Sequence, residues 1–377
     1  MNVNTTIGLL GSGQLSRMSA MAASELGLNI HVICNDKHKS PASFVAGKTT
    51  HCELNDLECI LQFASECDYI TLENEFIDQK ILNAIEKKHP HKLFPTAESF
   101  SLIGDKLTEK QTFQAAGIRV APFQKVESTG DIKKFILQHN YPVVLKTIKG
   151  GYDGYGNFTI KTEADIITAF KKLQGELIVE KFIPYQKEVA ITAAQNSTQI
   201  VYYPIVETHQ ENHICHFVTA PAEISESAQT QIYDFTKKAL QTIKSRGLFA
   251  FEFFVTKEDE VYLNESAPRP HNSAHYTMMA CETSQFTNHI RSVLDLPLGS
   301  TKMKYPFCVM LNLLGTADQI AELKPKSEFL KNTNSELHLY GKIYSKIGRK
   351  MGHYILCGDN QDQLLAEAKR LKEIYTL

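Results

Sequence analysis

The chain has 377 residues, which is enough for two or three domains with a sizeable core. Its charge is nearly balanced, with 40 Lys and Arg against 42 Asp and Glu, so composition gives no electrostatic case for a nucleic-acid or membrane partner. No apolar run is long enough to span a bilayer, and the first residues lack the features of a signal peptide. We therefore expect a soluble cytoplasmic protein.

The cysteines argue against two kinds of site. All eight stand apart, with no Cys-x-x-Cys pair, so a zinc site and thioredoxin-like chemistry are disfavoured. Most of them lie within apolar runs, and this placement predicts reduced, buried side chains.

Strand and helix patterns alternate through the first hundred residues. Residues 6–10 predict a buried strand, 14–26 a helix and 29–34 a second strand, which together form a βαβ unit. The alternation continues at residues 60–64, 69–71, 80–88 and 92–94. This order predicts a small parallel α/β domain that is open at the carboxyl ends of its strands.

The turn Gly11-Ser12-Gly13 precedes the first helix and partly matches a dinucleotide fingerprint, with Asp36 near the position of a ribose-binding acid. Ser16, however, stands where the third glycine of that fingerprint belongs. We therefore favour a general phosphate or anion site at the helix N-terminus. A tight turn that needs glycine only for its backbone angles is the alternative.

The rest of the chain predicts an α+β region and a short third segment. The middle region has helical spacing at residues 106–116 and 229–245 and strand patterns at 141–146, 176–182, 189–194 and 199–206. The third segment has strands near residues 308–314, 337–340 and 353–356 and a helix at 361–374. It looks too small to fold alone, so we expect it to pack against the first domain.

Residues 150–156 contain four glycines in seven positions, which allows backbone amides to approach phosphate oxygens closely. No Gly-Lys-Ser/Thr follows, so this is not a Walker A loop. Lys146 ends the strand ahead of the loop and, with Lys106, can supply charge to phosphates. Each lysine taken alone is more typical of a solvated surface.

The strand end at residues 180–183 suits a flat heterocycle such as adenine, because it combines apolar neighbours with free backbone groups. Glu188 follows a few residues later and can accept hydrogen bonds from ribose hydroxyls. Without the neighbouring signals, an ordinary strand end would be the simpler interpretation.

Residues 247–255 and 261–263 predict a β-hairpin joined by the polar turn 256–260. If the turn centres between residues 258 and 259, Glu252 pairs directly with Glu265. Two facing carboxylates repel each other and are costly to bury, and a divalent cation removes both problems. Mg²⁺ suits such a site, together with waters and nucleotide phosphates. A slip of register would instead turn one glutamate to solvent.

The stretch 264–276 (NESAPRPHNSAHY) follows this strand and carries an amide, a hydroxyl, an arginine and two imidazoles. So many different polar groups on one connection favour a binding loop held by a scaffold over a polar link. Lys342, Lys346, Arg349 and Lys350 form a later basic cluster that can clamp a phosphate monoester, although such runs are usually solvated turns.

Taken in order, five segments resemble the N5-carboxyaminoimidazole ribonucleotide synthases, the ATP-grasp carboxylases of bacterial and fungal purine synthesis. They are residues 11–18 (GSGQLSRM), 150–154 (GGYDG), 252–254 (EFF), 264–273 (NESAPRPHNS) and 340–342 (YGK). The PRPHNS run is highly specific and the GGYDG loop moderately so. The resemblance covers essentially the whole chain.

The resemblance implies an ATP-grasp fold that combines α/β and α+β parts. It implies an N-terminal parallel α/β (pre-ATP-grasp) domain at 1–103, an ATP-grasp domain at 104–300 with a lid subdomain at about 120–182, and a small C-terminal domain at 301–377. It also implies a homodimer that uses ATP, bicarbonate, 5-aminoimidazole ribonucleotide and Mg²⁺, or Mn²⁺, and forms carboxyphosphate on the way to the N5-carboxylated ribonucleotide, ADP and phosphate.

The resemblance also assigns roles to residues. Catalytic roles fall to Arg269, whose planar guanidinium suits bicarbonate and carboxyphosphate, and to Tyr152 and Asp153. The residues implied in ATP binding are Lys106, Lys146, Gly151, Tyr152, Asp153, Gly154, Tyr155, Gly156, Asn157, Glu180, Lys181, Phe182, Ile183, Glu188, His213, Asn264 and Glu265. Those implied in substrate binding are Gln14, Leu15, Glu73, Asn272, Ser273, His275, Lys342, Arg349 and Lys350. The implied metal ligands are Glu252 and Glu265.

The chain departs from the family at four places. Lys106 and Tyr155 replace the usual arginine and a usual basic residue, and Phe76 replaces an asparagine after Glu73 and Glu75. A histidine expected near residue 210 is displaced, with those at 209 and 213 as substitutes. None of these changes removes the carboxylate pair or the arginine loop.

Three other functions remain open from the sequence. A formate-using glycinamide ribonucleotide transformylase would keep the ATP machinery, but the HNS loop and the short third segment argue against it. A nicotinamide-dependent oxidoreductase would explain only the first βαβ unit. A nucleotide-binding regulator without turnover has only the departures at Lys106 and Tyr155 in its favour.

Overall fold

The structure is a computed structural model that describes residues 4–35, 39–150 and 156–377. The first region begins with a parallel sheet flanked by helices. Its elements are β1 (Thr6–Leu10), α1 (Gln14–Glu25), β2 (Asn29–Cys34), β3 (Lys48–His51), α2 (Leu57–Ser65), β4 (Tyr69–Leu72), α3 (Gln79–Lys88) and α4 (Ala97–Ile103).

The first sheet has the strand order β3-β2-β1-β4, and its strands are parallel. The predicted βαβ unit is therefore confirmed. The chain runs outward from β1 to β3 and then returns to the other side of β1, so β1 and β4 flank a topological switch point, where open α/β sheets bind ligands. The strand expected at residues 92–94 was wrong, because only one isolated bridge joins Leu93 to Ile70.

The second region opens with α5, whose start is fixed by a cap: the Asp105 side chain accepts a hydrogen bond from the Thr108 amide at 2.8 Å. A small antiparallel sheet in the order β5-β8-β6-β7 follows, packed against two helices. The elements are α5 (Lys106–Ala115), β5 (Phe123–Val126), α6 (Thr129–His139), β6 (Val143–Thr147), β7 (Asn157–Ile160), α7 (Glu163–Lys172) and β8 (Leu177–Lys181).

A large antiparallel sheet forms the centre of the molecule. Its first elements are β9 (Tyr185–Gln195), β10 (Ile200–Tyr202), β11 (Val206–Glu211), β12 (Ile214–Ala220), α8 (Glu226–Ile243), β13 (Gly247–Thr256), β14 (Val261–Ala267), α9 (Thr277–Ala280) and α10 (Gln285–Val293). The single strand expected at residues 199–206 was wrong. The chain makes two strands there, separated around Pro204, because proline cannot donate to a sheet ladder.

The third segment extends this central sheet. Its elements are β15 (Phe307–Leu314), β16 (Gln319–Ile320), β17 (Ser335–Leu339), β18 (Tyr344–Ser345), β19 (Lys350–Gly358) and α11 (Gln361–Ile374). The order in the described residues is β14-β13-β9-β11-β12-β15-β19-β17, with β10 on β9. The third segment was expected to pack on the first domain, but most of its strands pair within the central sheet. Tyr340 supplies one such contact, in a core cluster with Ile7 and Leu9.

The β13–β14 hairpin has the register that the turn predicted. Glu252 lies directly opposite Glu265, with a bulge immediately after Glu252. Phe249, Phe251 and Phe253 alternate with Glu252 and fill the core on the other face of the sheet. The strand therefore presents its one carboxylate away from that core.

Two of the cysteines differ from the expected reduced state, since Cys52 and Cys59 form a disulfide. Cys52 precedes α2 and Cys59 lies in its first turn, close enough in space to bond although no Cys-x-x-Cys spacing marked them. The other six are free, and five of these are buried. In the described parts of the chain, the structure contains no helix with the length and apolarity needed to cross a membrane.

Candidate active site

A cavity of about 230 Å³ lies between the small sheet and the central sheet. It brings together fifteen of the residues predicted for the site. Those that line it are Lys106, Lys146, Asn157, Glu180, Lys181, Phe182, Ile183, Glu188, His213, Glu252, Asn264, Glu265, Asn272, Ser273 and Lys350. Segments far apart in the chain, from α5 to β19, therefore form one cavity wall.

The facing glutamates Glu252 and Glu265 have very different acidities. The neighbouring ammonium of Lys106, whose Nζ lies 3.0 Å from a Glu265 oxygen, lowers the pKa of Glu265 to about 2. Burial, with the charge of Glu265 opposite, raises the pKa of Glu252 to about 8. The Nε2 atom of His271 lies 3.7 Å from a Glu252 oxygen, and burial lowers the pKa of that imidazole to about 4. At neutral pH the histidine is thus uncharged.

This pair fits a divalent cation. Both groups offer hard oxygen ligands on one wall of the cavity, and Lys106 neutralises only Glu265. Within the described residues, no group of three or more His, Cys, Asp or Glu side chains forms a metal cluster. Two carboxylates are what Mg²⁺ takes from a protein when phosphates and waters complete its shell.

Two lysines meet one buried glutamate beside this pair. The Nζ atoms of Lys146 and Lys110 lie 2.9 Å and 3.3 Å from the same oxygen of Glu180, and Lys146 also donates to the Asn264 side-chain oxygen at 3.5 Å. Burial opposes ionisation of Glu180, but the two ammonium groups prevail and lower its pKa. Its other oxygen, Oε1, is buried without a hydrogen-bond partner in the described structure.

Helix α5 also carries a buried glutamate, Glu109. Glu109 accepts two hydrogen bonds at 2.6 Å from Ser266, one from the amide and one from the hydroxyl. Burial raises the pKa of Glu109 to about 7, although these bonds oppose the shift. The contact ties the helix that carries Lys106 to the strand residue next to Glu265, so the two charged groups are held in register.

Residues 180–183, predicted to receive a heterocycle, line the cavity. Their backbone groups were expected to be free, but two of them are paired, because the amides of Lys181 and Phe182 donate to the carbonyls of Pro122 and Pro142 at 2.9 Å and 3.4 Å. These bonds tie the strand end to its neighbours in the small sheet. Tyr185 stacks on Phe254 with a centroid distance of 4.5 Å and adds an aromatic surface to the same wall.

The loop after β14 is held by amide side chains. Gln285 bonds the His271 backbone twice, accepting from its amide and donating to its carbonyl, each at 2.9 Å. Asn272 and Asn312 exchange two hydrogen bonds of 2.8 Å. These contacts present Asn272 and Ser273 to the cavity without using a metal or an ion pair.

His275 lies behind this wall and not on it. Its side chain is fully buried, its Nδ1 bonds Gln285 at 2.7 Å, and its ring packs 5.1 Å from that of His353. The predicted substrate ligand is therefore placed where it supports the loop from below.

Arg269 is engaged by the protein itself. Its Nε and Nη2 atoms donate to the two oxygens of Glu75, the second at 2.8 Å, and Nη1 donates to the Pro270 carbonyl at 3.2 Å. Burial works against both charges, but the pairing lowers the pKa of Glu75 and raises that of Arg269. One edge of the guanidinium is thus committed to Glu75 in this state.

The turn before α1 binds a carboxyl group of the protein itself, that of Glu73. The Gly13 amide donates to Glu73 Oε2 at 2.6 Å, so the phosphate interpretation of this helix N-terminus was wrong. A Cβ added at Gly11 would come within 2.6 Å of the same oxygen, which explains why glycine stands there. Gln14 and Leu15 begin the helix immediately after this contact.

The basic cluster divides in space. Burial raises the pKa of Glu73, and Lys342 lies near enough for its charge to oppose this shift; the Lys342 ammonium also donates to the Lys350 carbonyl at 2.6 Å. Lys350 reaches the cavity, whereas Arg349 is exposed and donates to the Tyr344 carbonyl at 2.9 Å. The expected clamp is therefore not assembled around one point.

Some predicted residues fall outside the described structure. They are Gly151, Tyr152, Asp153, Gly154, Tyr155 and the candidate ribose acid Asp36. Gly156 has a positive φ of 86° and accepts from the Thr147 amide at 2.9 Å, at the end of the glycine-rich loop. Of the two histidines considered near residue 210, His213 lines the cavity, and His209 instead contacts Thr219.

Several residues of the site were missed from the sequence. Those of the cavity wall include Tyr185, Thr208, Gln210, Cys215 and Phe254. The buried pair Glu109 and Lys110 was missed as well. The sequence shows only that residues three and four positions after Lys106 share its helix face, and it does not show that this face is buried.

Three family models together match most of the chain. They are described as the ribonucleotide synthetase preATP-grasp domain (residues 4–104), the ATP-grasp domain (111–286) and the phosphoribosylaminoimidazole carboxylase C-terminal domain (308–367). Their order matches the pre-ATP-grasp, ATP-grasp and C-terminal parts expected from the sequence.

Known proteins resemble the chain over nearly its full length. The N5-carboxyaminoimidazole ribonucleotide synthase of Staphylococcus aureus (strain COL) is 35% identical over 95% of this chain and 94% of its own. The phosphoribosylaminoimidazole carboxylase of Ogataea methanolica is 37% identical over 92% of this chain, which spans 65% of that longer protein. A crystal structure of the Aspergillus clavatus synthase with ADP and 5-aminoimidazole ribonucleotide has a TM-score of 0.91 and 30% identity over 99% of both chains.

The acidity of Glu252 predicts a pH-dependent stability change on replacing it. Its folded pKa of about 8 exceeds the ordinary 4.5, so keeping it buried reduces stability increasingly as pH rises between these values. Without metal, Glu252→Gln should therefore unfold at a higher temperature than the parent, with an advantage that grows up to about pH 8 and then levels off. Thermal unfolding in chelator from pH 5 to 9 measures this.

Glu258→Gln is the matched control, because Glu258 is an exposed glutamate on the turn of the same hairpin. It should follow the parent at every pH. Parallel curves for the parent and Glu252→Gln across this range would show that the carboxylate pair is not under electrostatic strain.

Proposed function

Because this chain belongs to the N5-carboxyaminoimidazole ribonucleotide synthase family of ATP-grasp ligases, we propose that it carboxylates 5-aminoimidazole ribonucleotide with bicarbonate and ATP. The products are N5-carboxyaminoimidazole ribonucleotide, ADP and phosphate, as a step of purine biosynthesis. The observation that carries this proposal is one cavity shared by the pair Glu252 and Glu265, by Lys106 and Lys146, and by the Asn272–Ser273 loop. We place the domain limits at 1–103, 104–300 (lid about 120–182) and 301–377.

ATP occupies the cavity in this proposal. Lys106 and Lys146 are the phosphate ligands, since both ammonium groups lie on the wall beside the carboxylate pair. The segment 180–183 receives the base, and Glu188, whose pKa is raised by burial, lies within reach of ribose hydroxyls. Asn157, His213 and Asn264 complete the nucleotide pocket from other strands.

Glu252 and Glu265 would hold Mg²⁺, with Mn²⁺ as a substitute. When bound, it would neutralise negative charge on the phosphates during phosphoryl transfer. For the chain this means that Lys106 exchanges its partner. The ammonium that now pairs with Glu265 at 3.0 Å becomes available to a phosphate oxygen once a cation balances the glutamate.

Arg269 is the proposed ligand of bicarbonate and of carboxyphosphate, the product of its attack on the γ-phosphate. Glu75 holds the Nε edge of the guanidinium, and a planar guanidinium can bind a second oxyanion with its remaining donors. The pairing with Glu75 therefore fixes the plane of the guanidinium and leaves donors for a second oxyanion. The roles of Tyr152 and Asp153 rest on the resemblance alone.

The aminoimidazole ribonucleotide lies between the first domain and the 271–275 loop in this proposal. Its proposed ligands are Gln14, Leu15, Glu73, Asn272, Ser273, Lys342, Arg349 and Lys350, with His275 supporting the loop from behind. Burial raises the pKa of Glu73, and the carboxylate at the switch point of the first sheet suits ribose hydroxyls, which donate hydrogen bonds. A homodimer in the cytoplasm completes the proposal.

ADP release tests the function directly. Purified protein with Mg-ATP and bicarbonate should release ADP much faster when 5-aminoimidazole ribonucleotide is added, because the acceptor consumes the activated carboxylate. A rate that ignores the ribonucleotide, in protein that still binds ATP, would overturn the proposal. A response to formate and glycinamide ribonucleotide would identify the transformylase instead.

Glu265→Gln should lower ATP turnover by about 10²-fold or more, because it removes a charged metal ligand. The substitution preserves shape, so the thermal midpoint should stay close to that of the parent. Turnover at the parental rate in a folded variant would show that Glu265 does not hold the metal. Steady-state ADP release at saturating Mg²⁺ is the measurement.

Arg269→Lys should lower ribonucleotide-dependent ADP release by about 10²-fold while changing the affinity for ATP little, since a point charge cannot replace the planar guanidinium. Glu75→Gln is the comparison, because it breaks the same ion pair and keeps the arginine. Equal loss of turnover and of ATP binding in Arg269→Lys would instead indicate a folding defect. Equal turnover defects in the two variants would limit Arg269 to pairing with Glu75.

A further inference from the structure

Lys110 is a buried lysine that the proposed function leaves without a role. It lies on α5 one turn after Lys106 and is 2% exposed. Its ammonium is 3.3 Å from Glu180 Oε2, which is ion-pair distance, yet Nζ has no aligned hydrogen bond in the described residues. An ion is costly to bury, so a lysine kept here needs a physical reason.

Glu180 is the partner that supplies this reason. One of its oxygens, Oε2, faces both Lys110 and Lys146, and Lys146 is the closer of the two at 2.9 Å. The other, Oε1, is buried with no donor in the described structure, although Glu180 lines the cavity. An ionised carboxylate oxygen only accepts hydrogen bonds, and an unpaired buried acceptor favours a ligand that brings a donor.

Two cations face one anion here before the nucleotide binds. In the proposed function, Lys146 turns toward phosphate when ATP enters, and Glu180 loses its closer counter-ion. A buried carboxylate without a positive neighbour takes up a proton. Lys110 does not line the cavity, so it stays beside Glu180 when Lys146 leaves.

We propose that Lys110 is a positioning residue of the nucleotide site, which keeps Glu180 ionised so that Oε1 accepts from the amino group at C6 of the purine. The site thereby selects a 6-amino purine over a 6-oxo purine, whose oxygen would face another acceptor. This inference rests on the proposed ATP site. Burial lowers the pKa of Lys110 as well, and the ionised Glu180 beside it opposes that shift.

Binding of ADP and IDP to the full-length protein tests the inference without any turnover. For the parent, ADP should bind on the order of 10²-fold more tightly than IDP, since a site built around a hydrogen bond rejects a ligand that leaves it unpaired. Lys110→Met should reduce this ratio by about 10-fold, because one charge-assisted hydrogen bond is worth that much. Isothermal titration at several pH values gives both constants.

The pH dependence separates a positioning role from a structural one. In Lys110→Met, ADP affinity should fall and IDP affinity should rise as pH is lowered from about 8 to 6, because a protonated Glu180 donates where it previously accepted. The parent should show no such crossing. If Lys110→Met weakens ADP and IDP equally at every pH, the lysine is only a structural counter-ion and the inference is wrong.

Two controls complete the test. Lys125→Met removes an exposed lysine that pairs with Glu176 at 2.9 Å on the outer part of the same sheet, and it should leave the ratio unchanged. In a Glu180→Gln background, Lys110→Met should change the ratio no further, since the two residues act as one unit. An additional change of ratio in that background would contradict the proposal.

Lys110→Gln serves if the methionine variant does not fold, because it also removes the charge and keeps a polar group. The expected loss of discrimination is the same. Failure of the parent itself to bind ADP would overturn the nucleotide site and with it the proposed function. A parent that binds ADP and shows an unaltered ratio in both lysine variants would overturn only the inference.

Discussion

The pairing of Glu252 with Glu265 is the constraint on which the rest of the site depends. Along β13, one set of alternate residues, with Phe251 and Phe253, fills the core, and the other set turns Glu252 and Phe254 to the cavity. The same backbone ladder that packs the aromatic rings therefore forces two carboxylates together. The sheet cannot relieve this repulsion by slipping one residue, because a slip would bury the charges and expose the phenylalanines.

Helix α5 makes three contacts that support the charged groups of the cavity wall. Lys106 neutralises Glu265, Glu109 ties the helix to Ser266, and Lys110 pairs with Glu180. Glu109, Lys110 and Glu180 are buried, and charge interactions between buried groups are stronger than in water. A triphosphate with its cation would exchange partners within an existing network and would not have to order a loose one, which is electrostatic preorganisation.

The sequence predicted most of the elements and the wall of the cavity, and its errors have identifiable causes. The hairpin register followed from a period of two and a short turn, both of which are local. Glu73 at the Gly13 amide could not be foreseen, because the two residues are sixty positions apart and meet only through the order of strands β1 and β4. Lys110 was missed because a lysine on a helix is normally solvated, and only tertiary contacts show which helix face is covered.

The contact between Glu73 and the start of α1 also determines which part of the proposed ribonucleotide can bind there. A helix N-terminus preceded by glycines normally attracts phosphate, but here a carboxylate takes the Gly13 amide, and a second anion would be repelled. The carboxylate instead favours groups that donate, such as ribose hydroxyls. In the proposed function, phosphate charge near Glu73 is left to Lys342, which lies in the third segment of the chain. The same segment brings Lys350 to the cavity wall, because its strands continue the central sheet next to β12.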